Sequence, residues 1–83
     1  MIFLNNNINL CDINPGEVAY INEIKTQGSM RRRLQDIGLV KNTRVECIGE
    51  SPLGDPKSFL IRGAVIALRS DDCKNIFVTS FRA

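Results

Sequence analysis

The sequence predicts a mainly β fold: a small barrel of about five strands, with one helix inserted after the first strand. Three observations carry this expectation. The chain has 83 residues, 43% hydrophobic and 24% charged, the usage of one ordered globular domain with a modest core. Its apolar residues mostly alternate in short runs separated by glycine and proline turns. One stretch, Ser29 to Ile37, switches to a helical period. Short connections make most neighbouring strands antiparallel. Closure into a barrel is expected over an open α+β sheet, because a flat sheet on so few residues leaves edges and a bare face.

The elements follow in order. Met1-Ile2-Phe3-Leu4 is apolar and gives way to Asn5-Asn6-Asn7. It lacks the basic flank and the length of a signal peptide. For this N-terminal extension, residues 1–9, two readings stand: an unstructured tail, or an added edge strand through Ile2-Phe3-Leu4. The domain proper is placed at 10–83. Asn14-Pro15-Gly16-Glu17 is a turn, since proline presets φ and glycine tolerates unusual values. Val18 to Ile24 is a strand with Val18, Tyr20 and Ile24 on its covered face and Ile21 as an extra apolar contact.

In the helix, Met30, Leu34 and Ile37 fall at i, i+4 and i+7, and Ser29 is the expected cap. Gly38 stands where a left-handed residue ends a helix, with Leu39 next to return toward Leu34. Thr43 to Glu50 is a strand with Val45 and Cys47 on one face. Lys57 to Arg62 and Val65 to Arg69 form a hairpin, with Gly63-Ala64 as a type II′ turn. Ser70 to Cys73 is one helical turn capped by Ser70. Asn75 to Ser80 is the last strand, with Ile76 and Val78 on one face.

Several functions are excluded by what is missing. There is no histidine, no paired-carboxylate pattern and no phosphate-binding glycine loop, so the chain is not expected to be an enzyme. Cys11, Cys47 and Cys73 are odd in number and widely spaced, which fits small buried side chains rather than disulfides or a zinc site. Asp36, Asp55, Asp71 and Asp72 are scattered and lack ligand spacing, so no metal site is assigned. No apolar run is long enough for a membrane helix, and the expected location is the cytoplasm. Arg31-Arg32-Arg33 fan out by about 100° per residue and cannot form one fork. No aromatic residue interleaves them, so nucleic acid is not an expected partner.

The remaining signal is Ser51-Pro52-Leu53-Gly54-Asp55-Pro56. Ser at i, Pro at i+1 and Gly at i+3 fit a type I turn, and Pro56 holds Asp55 extended. Turn chemistry explains every residue except Leu53. Two readings stand: Leu53 folds back as a lid on the barrel end, or it projects as an apolar anchor on a stiff loop.

These stretches occur together in a known order. Pro15-Gly16-Glu17, RRRLQDIGL over Arg31–Leu39, SPLGDP, and IRGAVIALR over Ile61–Arg69 make the chain resemble the ferrous iron transport protein A (FeoA) family from Leu10 to Val78. The resemblance implies an SH3-like barrel with a helix after the first strand. It implies a cytosolic accessory that binds and modulates the cytoplasmic domain of FeoB, a membrane ferrous transporter with a GTPase domain. The expected contact surface is Leu53 with Pro52, Gly54, Asp55 and Pro56, the adjoining Leu39, and Arg31 and Arg32 steering an acidic partner. The family barrel is also similar to the C-terminal domain of metal-dependent repressors. The alternative is therefore a transition-metal-binding regulator or chaperone holding Fe(II) or another divalent metal, although no ligand spacing supports a cofactor. Residues Met1 to Ile8 extend beyond the family's usual start, and Cys73 stands where the family commonly has alanine.

Overall fold

The computed structural model describes the backbone over 3–82 and side chains over 8–80; Met1, Ile2 and Ala83 lie outside the described residues. The chain runs β1 (Phe3–Asn9), a 3₁₀ turn (Leu10–Asp12), β2 (Val18–Ile24), α1 (Gly28–Asp36), β3 (Arg44–Glu50), β4 (Lys57–Ile61), β5 (Ala64–Leu68), α2 (Ser70–Cys73) and β6 (Ile76–Arg82). The strands form one antiparallel sheet in the order β1-β6-β2-β3-β4-β5. It therefore has six strands rather than about five. The sixth is the N-terminal segment, which pairs with β6 through Ile8 opposite Val78 and Asn9 opposite Phe77. The extension is joined to the sheet. Among the described residues, β1 and β5 stand at the two ends of its hydrogen-bonded ladder.

One core lies inside this sheet. Val45 faces Ile61 and Cys47 faces Phe59 across β3 and β4, and all four are fully buried. Ile21 faces Val78 across β2 and β6, again fully buried. The inward face of β2 carries Ala19 and Ile21, while Tyr20 is on the outside. This reverses the face expected for Val18 and Tyr20. The expected alternation ran Ile24 together with Tyr20, but β2 bulges between Ile21 and Glu23. One extra residue changes parity, so Ile24 returns to the core side opposite buried Ile76.

The helix ends as expected. Gly38 has φ +88°, its N–H donates to the Gln35 carbonyl (2.9 Å), and the Leu39 N–H donates to the Leu34 carbonyl (2.9 Å). That bond pair is the Schellman ending. Its start differs: the helix begins at Gly28 after Gln27, and Ser29 lies inside the first turn rather than at the cap. The β4–β5 turn differs too. Its two residues are Arg62 and Gly63, at φ +50° and +83°, and Ile61 pairs with Ala64. Positive φ at both positions is type I′. Arg62 adopts this conformation while its Nε donates to the Gly38 carbonyl (3.0 Å), so the hairpin tip clamps the negative end of the helix.

Candidate interaction loop

Ser51 to Pro56 connects β3 to β4, and its backbone is held by its own first residue. The Gly54 N–H donates to the Ser51 carbonyl (2.8 Å), closing the turn that the sequence predicts. The Ser51 hydroxyl donates to the Asp55 carbonyl (2.7 Å) and accepts from the Asp55 N–H (3.1 Å). The Ser51 N–H reaches the Pro56 carbonyl (3.1 Å). The Asp55–Pro56 bond is cis.

Asp55 fixes the loop to the rest of the molecule. Its Oδ1 accepts the Ser70 N–H (2.9 Å) and its Oδ2 accepts the Ser70 hydroxyl (3.1 Å). The expected capping role of Ser70 is thereby corrected. Arg69 is the N-cap, Ser70 is the first helical residue, and the carboxylate comes from another segment. An anion beside the first free N–H of α2 is favourable for the same reason as a local cap. Asp55 is better placed to hold the loop than to reach outward.

Leu53 stands on top of this scaffold with 94% of its surface exposed. It is not a lid. Pro52 and Pro56 beside it are also exposed, and Gly54, at φ +83°, is half-buried. Leu39 is a correction. It is completely buried in the core cluster with Leu34, because the Schellman turn directs the residue after Gly38 inward. It offers no surface to a partner. Arg31 and Arg32 are exposed on α1, and one Arg31 nitrogen donates to the Ile24 carbonyl (3.1 Å). Arg31 lines a groove of about 410 Å³ with Ile24, Gln35 and Val40. That groove shares no residue with the cavity under the SPLGDP loop.

Beneath the loop is a small cavity of about 70 Å³, lined by Cys11, Asp55, Lys57, Leu68, Ser70 and Cys73 among others. Lys57 is the residue that sequence reasoning missed. Its ammonium donates to the carbonyls of Cys11 (2.8 Å) and Ile13 (2.9 Å), and only 14% of its side chain is exposed. It shares the period-two face of Phe59 and Ile61, and that phase was the available signal: a cation in step with core residues must meet buried acceptors. Burial raises the Cys11 and Cys47 thiols and pushes Cys73 up to about 12, with Cys11 the next cause at Cys73. A thiol whose proton is held more tightly must still give it up before it can bind a metal. Among the described residues, no three Cys, Asp or Glu side chains gather into a metal-binding group.

The architecture defines a class: a small SH3-like β module carrying one inserted helix and a leucine-tipped, internally braced loop. The FeoA domain model matches residues 8–80, and the chain belongs to the FeoA family. The solution structure of iron(II) transport protein A from Clostridium thermocellum is 29% identical, with a TM-score of 0.82 over 88% of this chain and 45% of that one. A FeoA from Stenotrophomonas maltophilia, solved with zinc and described as a prokaryotic SH3 domain protein, is 23% identical. Its TM-score is 0.75 over 86% and 88% of the two chains. A manganese-dependent transcriptional repressor shares the fold at 22% identity, with a TM-score of 0.77 over 88% of this chain and 41% of the repressor. No curated protein matches the sequence closely.

Proposed function

We propose that this chain is a cytoplasmic accessory of ferrous iron uptake that binds the cytoplasmic domain of a FeoB-type membrane transporter and modulates it. It performs no reaction of its own. The observation that carries the reading is Leu53, a leucine 94% exposed on a loop whose turn does not require it. An apolar side chain on a pre-ordered loop loses little entropy on docking, and a single buried anchor often dominates a small interface. Pro52, Pro56 and Gly54 shape the loop, and Asp55 ties it to Ser70. Arg31 and Arg32 contribute at longer range, by raising the encounter rate with an acidic surface. The family membership supplies the iron-transport context.

Calorimetric binding of Leu53→Asp to the isolated cytoplasmic domain of the transporter tests the reading. The expected result is a loss of affinity of about tenfold or more. Unchanged affinity with an intact fold removes Leu53 from the surface. Resident metal is not part of this reading. Anaerobic titration with Fe(II) separates it from the metal-regulator alternative, which requires micromolar or tighter stoichiometric binding.

A further inference from the structure

The two edges of the sheet are built differently. Edge strand β1 carries Asn5-Asn6-Asn7 and a register shift between Asn5 and Ile8, both of which discourage further pairing. Edge strand β5 has no such protection. From Gly63 to Leu68 it reads Gly-Ala-Val-Ile-Ala-Leu, with no charge, no proline and no register break against β4. Val65 is 64% exposed, and Ala64 and Ala67 are exposed beside it. Such an edge is a template for another strand.

The hairpin geometry says which groups are free. In a two-residue hairpin the residues flanking the turn exchange both hydrogen bonds, and every second pair does so after them. Ile61 with Ala64, Phe59 with Ile66 and Lys57 with Leu68 are those pairs. The N–H and C=O groups of Val65 and Ala67 therefore face away from β4, along the open edge. They are separated by one residue, Ile66.

We infer that β5 pairs with β5 of a second copy of this chain, antiparallel about a two-fold axis at Ile66. In that register Val65 lies opposite the second copy's Ala67 and exchanges both hydrogen bonds with it. The symmetry repeats the pair, so all four outward groups of each strand are satisfied. Ile66 meets its own counterpart at a non-hydrogen-bonded pair, where Cα atoms approach to about 4.5 Å. Ala64 lies opposite Leu68, so all five extended residues are used and none outside them. Sliding by one pair in either direction fails. One direction brings in Gly63, at φ +83°, and the other sets Val65 opposite Arg69, whose carbonyl already accepts from the Asp72 and Cys73 N–H groups of α2. Arg69 falls opposite Gly63, so no like charges meet at the ends. Val65 and Ala67 from both copies form a small continuous apolar surface on the outer face. The contact is one strand edge, well below the roughly 1,200 Å² of a standard stable interface, and the dimer is weak and concentration-dependent.

Sedimentation of the full chain from micromolar to millimolar concentration tests this, with Ala67→Pro and Val65→Lys alongside. Ala67→Pro deletes an edge donor that β4 does not use, which an edge strand tolerates. Val65→Lys places a charge on an exposed position. Both are expected to keep the fold by circular dichroism and to weaken self-association about tenfold or more. Ile66→Cys is expected to cross-link into a covalent dimer under diamide faster than the parent chain, because the pair spacing suits a disulfide. Ala64→Cys, facing Leu68, is expected not to. A monomer at all concentrations overturns the inference. So does a dimer that both edge variants leave intact, or equal cross-linking of Ile66→Cys and Ala64→Cys.

Discussion

Gly38-Leu39 and Leu53-Gly54 set the same two residue types at two tight turns, one leucine fully buried and the other 94% exposed. Both glycines take positive φ, +88° and +83°. The difference lies in what each turn is tied to. At Gly38 the turn's hydrogen bonds run back into α1, and the Arg62 side chain crosses over the glycine, leaving no room for a Cβ. The following leucine has only the core to enter. At Gly54 the bonds run within the loop to Ser51, and nothing lies near the glycine's missing Cβ. The preceding leucine is left in water. Leucine at a turn is thus a statement about neighbouring hydrogen bonds, not about the turn itself.

The largest test of this contrast is truncation of the two leucines. Leu39→Ala is expected to lower stability by about 2–5 kcal/mol in urea unfolding, as for other fully buried leucines. Leu53→Ala is expected to stay within about 0.5 kcal/mol, as for an exposed site. Comparable losses would break the contrast. A smaller effect separates the glycines. Gly38→Ala suffers both the positive φ and a Cβ placed 2.5 Å from Arg62 Cδ, and is expected to cost about 1–3 kcal/mol. Gly54→Ala meets open space and is expected to cost only about 1 kcal/mol, for φ alone. Pairing Gly38→Ala with Arg62→Ala sharpens this, since relief of part of the loss isolates the steric share. The smallest effect is at the tether. Asp55→Ala removes the two bonds to Ser70 and is expected to cost about 1 kcal/mol. Hydrogen exchange at the Ser70 amide is expected to accelerate while amides of β3 and β4 stay protected.

Much of this was legible because it is local. Ser51, Pro52 and Gly54 specify their turn, and Gly38-Leu39 ends the helix with the bonds expected of it. The illegible parts depend on residues distant in sequence. Leu39 is expected on the contact surface although Gly38 returns it toward Leu34, because the strands that cover both leucines are distant in sequence. Ser70 is satisfied by Asp55, fifteen positions earlier, so its own capping tendency was not needed. The faces of β2 were exchanged because a bulge is a property of paired strands, and one strand's alternation does not contain it. The β4–β5 turn moved by one residue because Arg62 tolerates left-handed geometry while bonded to Gly38, a contact across 24 positions. The small barrel expected from the cost of bare faces is the fold that forms, with one buried core enclosed by a sheet whose hydrogen-bonded ladder ends at β1 and β5 among the described residues.

The bulge in β2 also sculpts the surface. β2 pairs with β3 only over Val18, Ala19 and Tyr20, while its pairing with β6 continues to Ile24. Where the two partners part company, the backbone of Thr43 and Asn42 takes over the bonds to Ile21, and the groove lined by Asn22, Glu23 and Ile24 opens against the helix. The bulge thus does two jobs in opposite directions, keeping Ile24 inside and hollowing the exterior. Removing Asn22 would leave Ile21, Glu23 and Ile24 in plain alternation opposite Val78, Phe77 and Ile76, so Ile24 would stay inside while the strand straightens and the hollow loses one of its walls.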